Sequence, residues 1–220
     1  MLVVGVDSGL SGAFVFLDAE TMRVAAVVDM PTLVVGKGRR GKKREISART
    51  LVVEIENALG SKQVALAVVE RVTSSPQMGV TSAFSFGRGL GVVDGIIAAL
   101  ACRVEYVMPQ VWKKAVGIRV GAGKDDSRAK ACQLMPQDAE LWTPRRGVVN
   151  AIQAAGRSDA VLLGVYAARL LQPSGATVGK NILRAAGEAG VAGRKSPPKI
   201  VSRPTELLRG SCSAFNGTLG

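Results

Sequence analysis

No histidine occurs among the 220 residues. That excludes histidine general bases, histidine triads and histidine metal ligands. Any hydrolytic chemistry must rest on carboxylates, activated water, lysine, serine or cysteine. Cysteine is scarce too: Cys102, Cys132 and Cys212 are odd in number and widely spaced, which gives neither a disulfide framework nor a zinc pattern. Aromatic residues make up only 4% of the chain, so stacking platforms for single strands are sparse and contact with a duplex backbone fits better. No run approaches the roughly 18 apolar residues that a membrane span needs, so no membrane partner is expected. Met1-Leu2-Val3-Val4-Gly5-Val6 runs straight into Asp7, without the basic head and cleavage region of a signal peptide. The expected compartment is therefore reducing and intracellular. What is abundant is positive charge, +12 net, on a chain that is 47% hydrophobic. The hydrophobic share is enough for a core, and the charge points to a polyanionic partner.

Apolar runs at 2–6, 13–17 and 24–28 predict three strands in a meander, the last ending at Asp29-Met30-Pro31. Residues 36–44, GKGRRGKKR, contain six basic residues and three glycines. Like charges repel and glycine resists order, which predicts a mobile loop. Lys37, Arg39, Arg40, Lys42, Lys43 and Arg44 are candidate phosphate contacts there; the alternative is a solvated surface loop. Helical spacing predicts a helix over 46–59, and VALAVVE at 64–70 predicts a buried strand closing on an acid. A turn at 76–82 precedes a glycine-rich helix at 83–100. A strand at 104–109 follows, stopped by Pro109, then a short helix at 125–134 and a final helix at 150–171. On that helix Ile152, Ala155, Asp159, Leu163, Tyr166 and Leu170 share one face. Past Pro173 the pattern decays. The expected organisation is one domain at 1–173 and a flexible basic tail at 174–220, with a short helix near 181–189.

Three acids stand where burial is expected. Asp7 follows LVVGV, Glu70 follows VALAVV, and Asp159 precedes AVLLGVYAARLL. Converging buried carboxylates repel one another and are costly to desolvate, and a divalent cation relieves both problems. Magnesium suits an all-oxygen site, and two such ions can drive an in-line phosphodiester displacement without histidine. Each acid has a plainer alternative. Asp7 can cap a turn, Glu70 can pair with Arg71 or Arg88, and Asp159 can be an ordinary helix acid.

VVGVDSGLSGA (3–13), ALAVVERV (65–72), FSFGRGLG (84–91), VMPQVWKKAVG (107–117), KDDSRAKA (124–131) and GRSDAVLLGVYA (156–167) occur in the order seen in Holliday junction resolvases of the RuvC type. The chain most resembles the phage, prophage and plastid branch of that family, over roughly residues 2–171. The resemblance implies a ribonuclease-H-like α/β fold, with a mixed five-stranded sheet flanked by helices. It implies a homodimer whose two centres nick opposing strands of a four-way DNA junction. It makes Asp7, Glu70 and Asp159 ligands of two Mg2+ ions, with Mn2+ able to substitute. It makes Lys124 a catalytic or scissile-phosphate lysine, with Lys130 a weaker match, and gives the 36–44 segment a DNA-contacting role. Lys113, Lys114, Arg88 and Arg128 are further candidate DNA contacts. For Lys113 and Lys114, surface solvation is an equal alternative, and Arg88 can instead pair with an acid.

One position departs from the family pattern. Related enzymes carry an acid three or four residues before the final aspartate. Here those positions are Gly156 and Ala155, and neither can ligate a metal. Two functions compete on this ground: a magnesium-dependent junction endonuclease, and a branched-DNA binding protein with impaired or absent cleavage. An actin-like phosphotransferase, suggested by Asp7 and SGLSG alone, would need a larger two-domain body.

Overall fold

The computed structural model describes residues 1–38, 41–119, 121, 123–172 and 199–201. Strands β1 (Leu2–Val6), β2 (Ala13–Asp18) and β3 (Arg23–Asp29) form the expected antiparallel meander. After helix α1 (Ala48–Leu59), β6 (Val64–Glu70) returns parallel to β1, and β7 (Arg103–Val107) adds parallel to β6 beyond helix α2 (Val80–Ala99). The order β7-β6-β1-β2-β3 is the mixed five-stranded sheet of a ribonuclease-H-like fold. A sixth strand, β8 (Lys199–Val201), pairs parallel with the outer edge of β3. The rest of the 174–220 segment, including the helix expected near 181–189, lies outside the described residues.

Two apolar layers sandwich the sheet. One face, with Val4, Val6, Phe14, Phe16 and Val69, packs on α1 and α2. The other, with Val3, Val15, Leu17, Leu66 and Val68, packs on helix α5 (Ala151–Leu171) and on Trp112 and Trp142. The alternation of side chains along each strand feeds both layers, so these strands read as continuous hydrophobic runs. No helix among the described residues is long and apolar enough to cross a membrane.

Four expectations need correction. Residues 36–38 and 41–44 of the basic segment are no loop. Strands β4 (Thr32–Gly38) and β5 (Gly41–Ile46) pair antiparallel as a ribbon, with Thr32 opposite Ile46 and Lys37 opposite Lys42. Backbone hydrogen bonding and the Arg88–Glu45 ion pair to α2 (2.8 Å) hold it despite the like charges. Proline at 109 does not simply stop a strand. It opens helix α3 (Pro109–Val116), whose first turn needs no amide donor, and Gly117 closes it in the left-handed region (φ 83°). The 76–82 turn is shorter than expected, because α2 starts at Val80. The anticipated apolar face of α5 is also wrong: Ile152 and Leu170 are exposed, while Ala154, Gly156, Arg157, Ser158 and the whole 160–165 stretch are buried. That helix is wrapped by the sheet, by α3 and by helix α4 (Lys124–Leu134).

Candidate metal centre and basic ribbon

Asp7 leaves the carboxyl end of β1, and Glu70 closes the adjacent β6. The two strands are parallel with Val6 opposite Val69, which puts the two acids side by side. Helix α5 crosses behind β1 at very close range. A Cβ at Gly5 would collide with the Ala160 carbonyl and the Gly164 amide, and a Cβ at Gly156 would collide with the Ser11 carbonyl. Only glycine permits this approach. It carries Asp159, between the two contacts, to the same end of the sheet.

The electrostatics record the convergence. Asp7 is pushed from its ordinary 3.8 up to about 6, chiefly by burial. The Gly9 amide, donating to Oδ1 at 3.0 Å, opposes the rise; the charges of Asp159 and Glu70 add to it. Glu70 is raised too, again mainly by burial. The indole of fully buried Trp112 donates to its Oε1 at 3.0 Å and opposes, while Asp159 adds. Lys113 counters the rise at both acids. Its Nζ lies 5.2 Å from the Trp112 ring centre, a cation–π contact. Lys113 is thus more than the phosphate contact or solvated surface lysine expected of it; a lysine following a buried tryptophan was the available clue.

An all-carboxylate, mutually repelling donor set fits a hard divalent cation chemically. Even so, no three of the His, Cys, Asp and Glu side chains among the described residues stand together as a ready metal-ligand group. Ala155 lies one turn before Asp159 and is partly exposed. Gly156 sits against the Ser11–Gly12 turn, with no space for any side chain.

The ribbon places Lys37, Lys42, Lys43 and Arg44 at the surface. Between it, α2 and the Ser8–Leu10 turn runs a groove of about 1270 Å³ that also takes in Arg49 and Arg88. Arg88 is tied to Glu45, and Arg128 pairs with Asp125 at 2.9 Å on α4. Lys114 is exposed on α3. Lys124 opens α4. Arg39 and Arg40 lie outside the described residues.

A second set of polar residues, which no sequence pattern announces, joins α5 to the end of β3. Arg157, 1% exposed, holds Asp29 through two 2.6 Å hydrogen bonds, from Nε to Oδ1 and from Nη2 to Oδ2. It also donates to the Leu141 carbonyl at 3.0 Å, and Gln153 donates to Asp29 Oδ2 at 3.0 Å. Elsewhere, buried Asp138 accepts from Arg23 (3.1 Å) and from the Val24 amide (3.2 Å).

Strand order and site position define an α/β protein of ribonuclease-H-like fold, with an acidic centre at the carboxyl end of its two central parallel strands. No known family model and no curated protein matches the chain. Solved structures similar to it include Thermus thermophilus RuvC in complex with a Holliday junction substrate, at 18% identity and TM-score 0.48, covering 78% of this chain and 96% of that one. Another is the Thermus thermophilus RuvC structure, at 19% identity and TM-score 0.41, covering 77% and 96% respectively.

Proposed function

We propose that the chain is a magnesium-dependent, structure-specific endonuclease that binds branched DNA, four-way junctions above all, and nicks opposing strands as a homodimer. The observation that best supports this is the mutual repulsion of Asp7, Glu70 and Asp159 at one end of the sheet, beside a basic groove, with Asp7 raised to about 6. Asp7, Glu70 and Asp159 would hold the Mg2+, or Mn2+ in its place. Bound there, the ion supplies Lewis-acid polarisation of a phosphodiester and activation of water.

The chain's own groups do the rest. Trp112 orients Glu70 by its indole hydrogen bond, and the Gly9 amide orients Asp7. The Lys113 ammonium, packed over the Trp112 ring, suits a phosphate oxygen close to the acids. Lys124, carried over from the family resemblance, is the other candidate lysine. The ribbon cations neutralise flanking phosphates, while Arg88 holds the ribbon to α2 through Glu45. On α2, Gly87, Gly91 and Gly95 lie four residues apart with open space before each, a face that lets a second helix approach closely.

A second reading is favoured by Ala155 and Gly156: the same fold binds junctions but cleaves them poorly or not at all. The test uses a synthetic four-way junction and a linear duplex of matched sequence, with magnesium or with EDTA. Symmetric nicks in the junction, in magnesium only, are expected. Junction-selective binding without nicks moves the protein to the second reading. Equal affinity for junction and duplex rejects both.

A further inference from the structure

We propose that the buried Asp29–Arg157 pair is a positioning device that locks α5 onto the Asp7 turn and so sets where Asp159 stands relative to Asp7. Arg157 follows Gly156, the residue pressed against the Ser11 carbonyl, with its Cβ position 2.9 Å from Gly12 Cα. Its guanidinium reaches across to Asp29, the last residue of β3, and grips both carboxylate oxygens. Asp29 is in register with Ala13, whose carbonyl accepts from the Asp7 amide at 3.1 Å. The next residue, Met30, donates to the Gly12 carbonyl at 2.9 Å. A short closed circuit results. It runs from α5 through the guanidinium to the end of β3, across one strand pairing to the turn that bears Asp7, and back to α5 at Gly156. Gln153, one turn earlier on α5, donates to the same carboxylate and stops the helix from rotating about a single bond.

A planar fork satisfied at both oxygens fixes distance and angle together, which a point-charge ammonium cannot do. With Arg157 1% and Asp29 17% exposed, the pair is largely withdrawn from water; such pairs are costly for stability and often neutral to replace by apolar residues, so this one is better explained by placement than by adhesion. A displacement of about 1 Å at a reacting centre can lower a rate on the order of a hundredfold. The catalytic consequence rests on the function proposed above; the structural consequence does not.

The test compares the full chain with Arg157→Lys and with the double variant Asp29→Leu/Arg157→Met, which removes both charges together and guards against a simple folding failure. Backbone amide exchange is followed at Asp7, Gly12 and Met30 and, for reference, along 160–168 of α5. In both variants, exchange at the three turn amides is expected to quicken about tenfold or more while the reference segment keeps its protection. Uniform quickening everywhere, or no change at the turn, overturns the proposal. On the junction substrate, kcat is expected to fall about a hundredfold with KM within threefold of the parent. A parent that does not cleave counts against the nuclease reading alone, since the exchange data still decide the clamp. A parent that cleaves and variants that match its kcat overturn the clamp's role at the site.

Discussion

Asp7 carries opposite demands. Its elevation from 3.8 to about 6 means that ionising it in the folded, ion-free protein costs up to about 3 kcal/mol. Asp7→Asn removes that cost. We expect the variant to unfold at higher denaturant than the parent at pH 7.5 without divalent ions, to bind junctions as before, and to lose cleavage entirely. Residual cleavage above background would move the reacting centre elsewhere. The two residues at the departure from the family pattern behave differently from each other. Ala155 is partly exposed on the turn before Asp159, and Ala155→Asp is expected to raise magnesium-dependent nicking well above the parent level. Gly156→Asp has no room and is expected to lower the melting temperature, because the Ser11 carbonyl stands where its Cβ must go. Equal nicking by Ala155→Asp and the parent would count against a missing ligand at that position.

At the scale of elements, the basic ribbon is the part most open to test. Replacing Lys42, Lys43 and Arg44 by alanine removes three cations from one exposed strand. The slope of log K against log salt is expected to fall by about 2 to 3 in magnitude, with junction preference retained. An unchanged slope would place the DNA path on another face. This element also shows where sequence reading stops. VALAVVE at 64–70 was legible as a strand to the residue, because a buried parallel strand is an unbroken apolar run. The ribbon was not, because its alternation is hidden among lysines, arginines and glycines. Helix α3 was missed because proline was read as an ending when it stands at a beginning. The convergence of Asp7, Glu70 and Asp159 could be anticipated from acids set against apolar runs. Trp112 donating to Glu70 and Arg157 gripping Asp29 join residues far apart in the chain, and no periodicity encodes such pairs.

For the molecule as a whole, pH is the informative variable. Asp7, Glu70 and Asp138 are all raised, in each case with burial as the main cause. A carboxyl group with a folded value above its unfolded one binds its proton more tightly in the native state. Its stabilising contribution is complete below the unfolded value and is lost as pH climbs through the folded one. For Asp7 that window runs from about 3.8 to about 6. Without divalent ions, the melting temperature of the parent is expected to fall between pH 5 and pH 7 more than that of Asp7→Asn. Magnesium at pH 7.5 should restore part of the loss in the parent and none in the variant. Identical pH profiles for the two proteins would show that Asp7 is not buried with its neighbours.

The close seam of Gly5 with Ala160 and Gly164 has a consequence for biosynthesis. It joins the first strand to the last long helix, so a nascent chain emerging from the ribosome holds Asp7 and then Glu70 well before Asp159 exists to face them. During that interval the apolar underside of the sheet is uncovered, and the two acids lack their third companion. The seam can therefore close only after α5 has left the exit tunnel and reached β1.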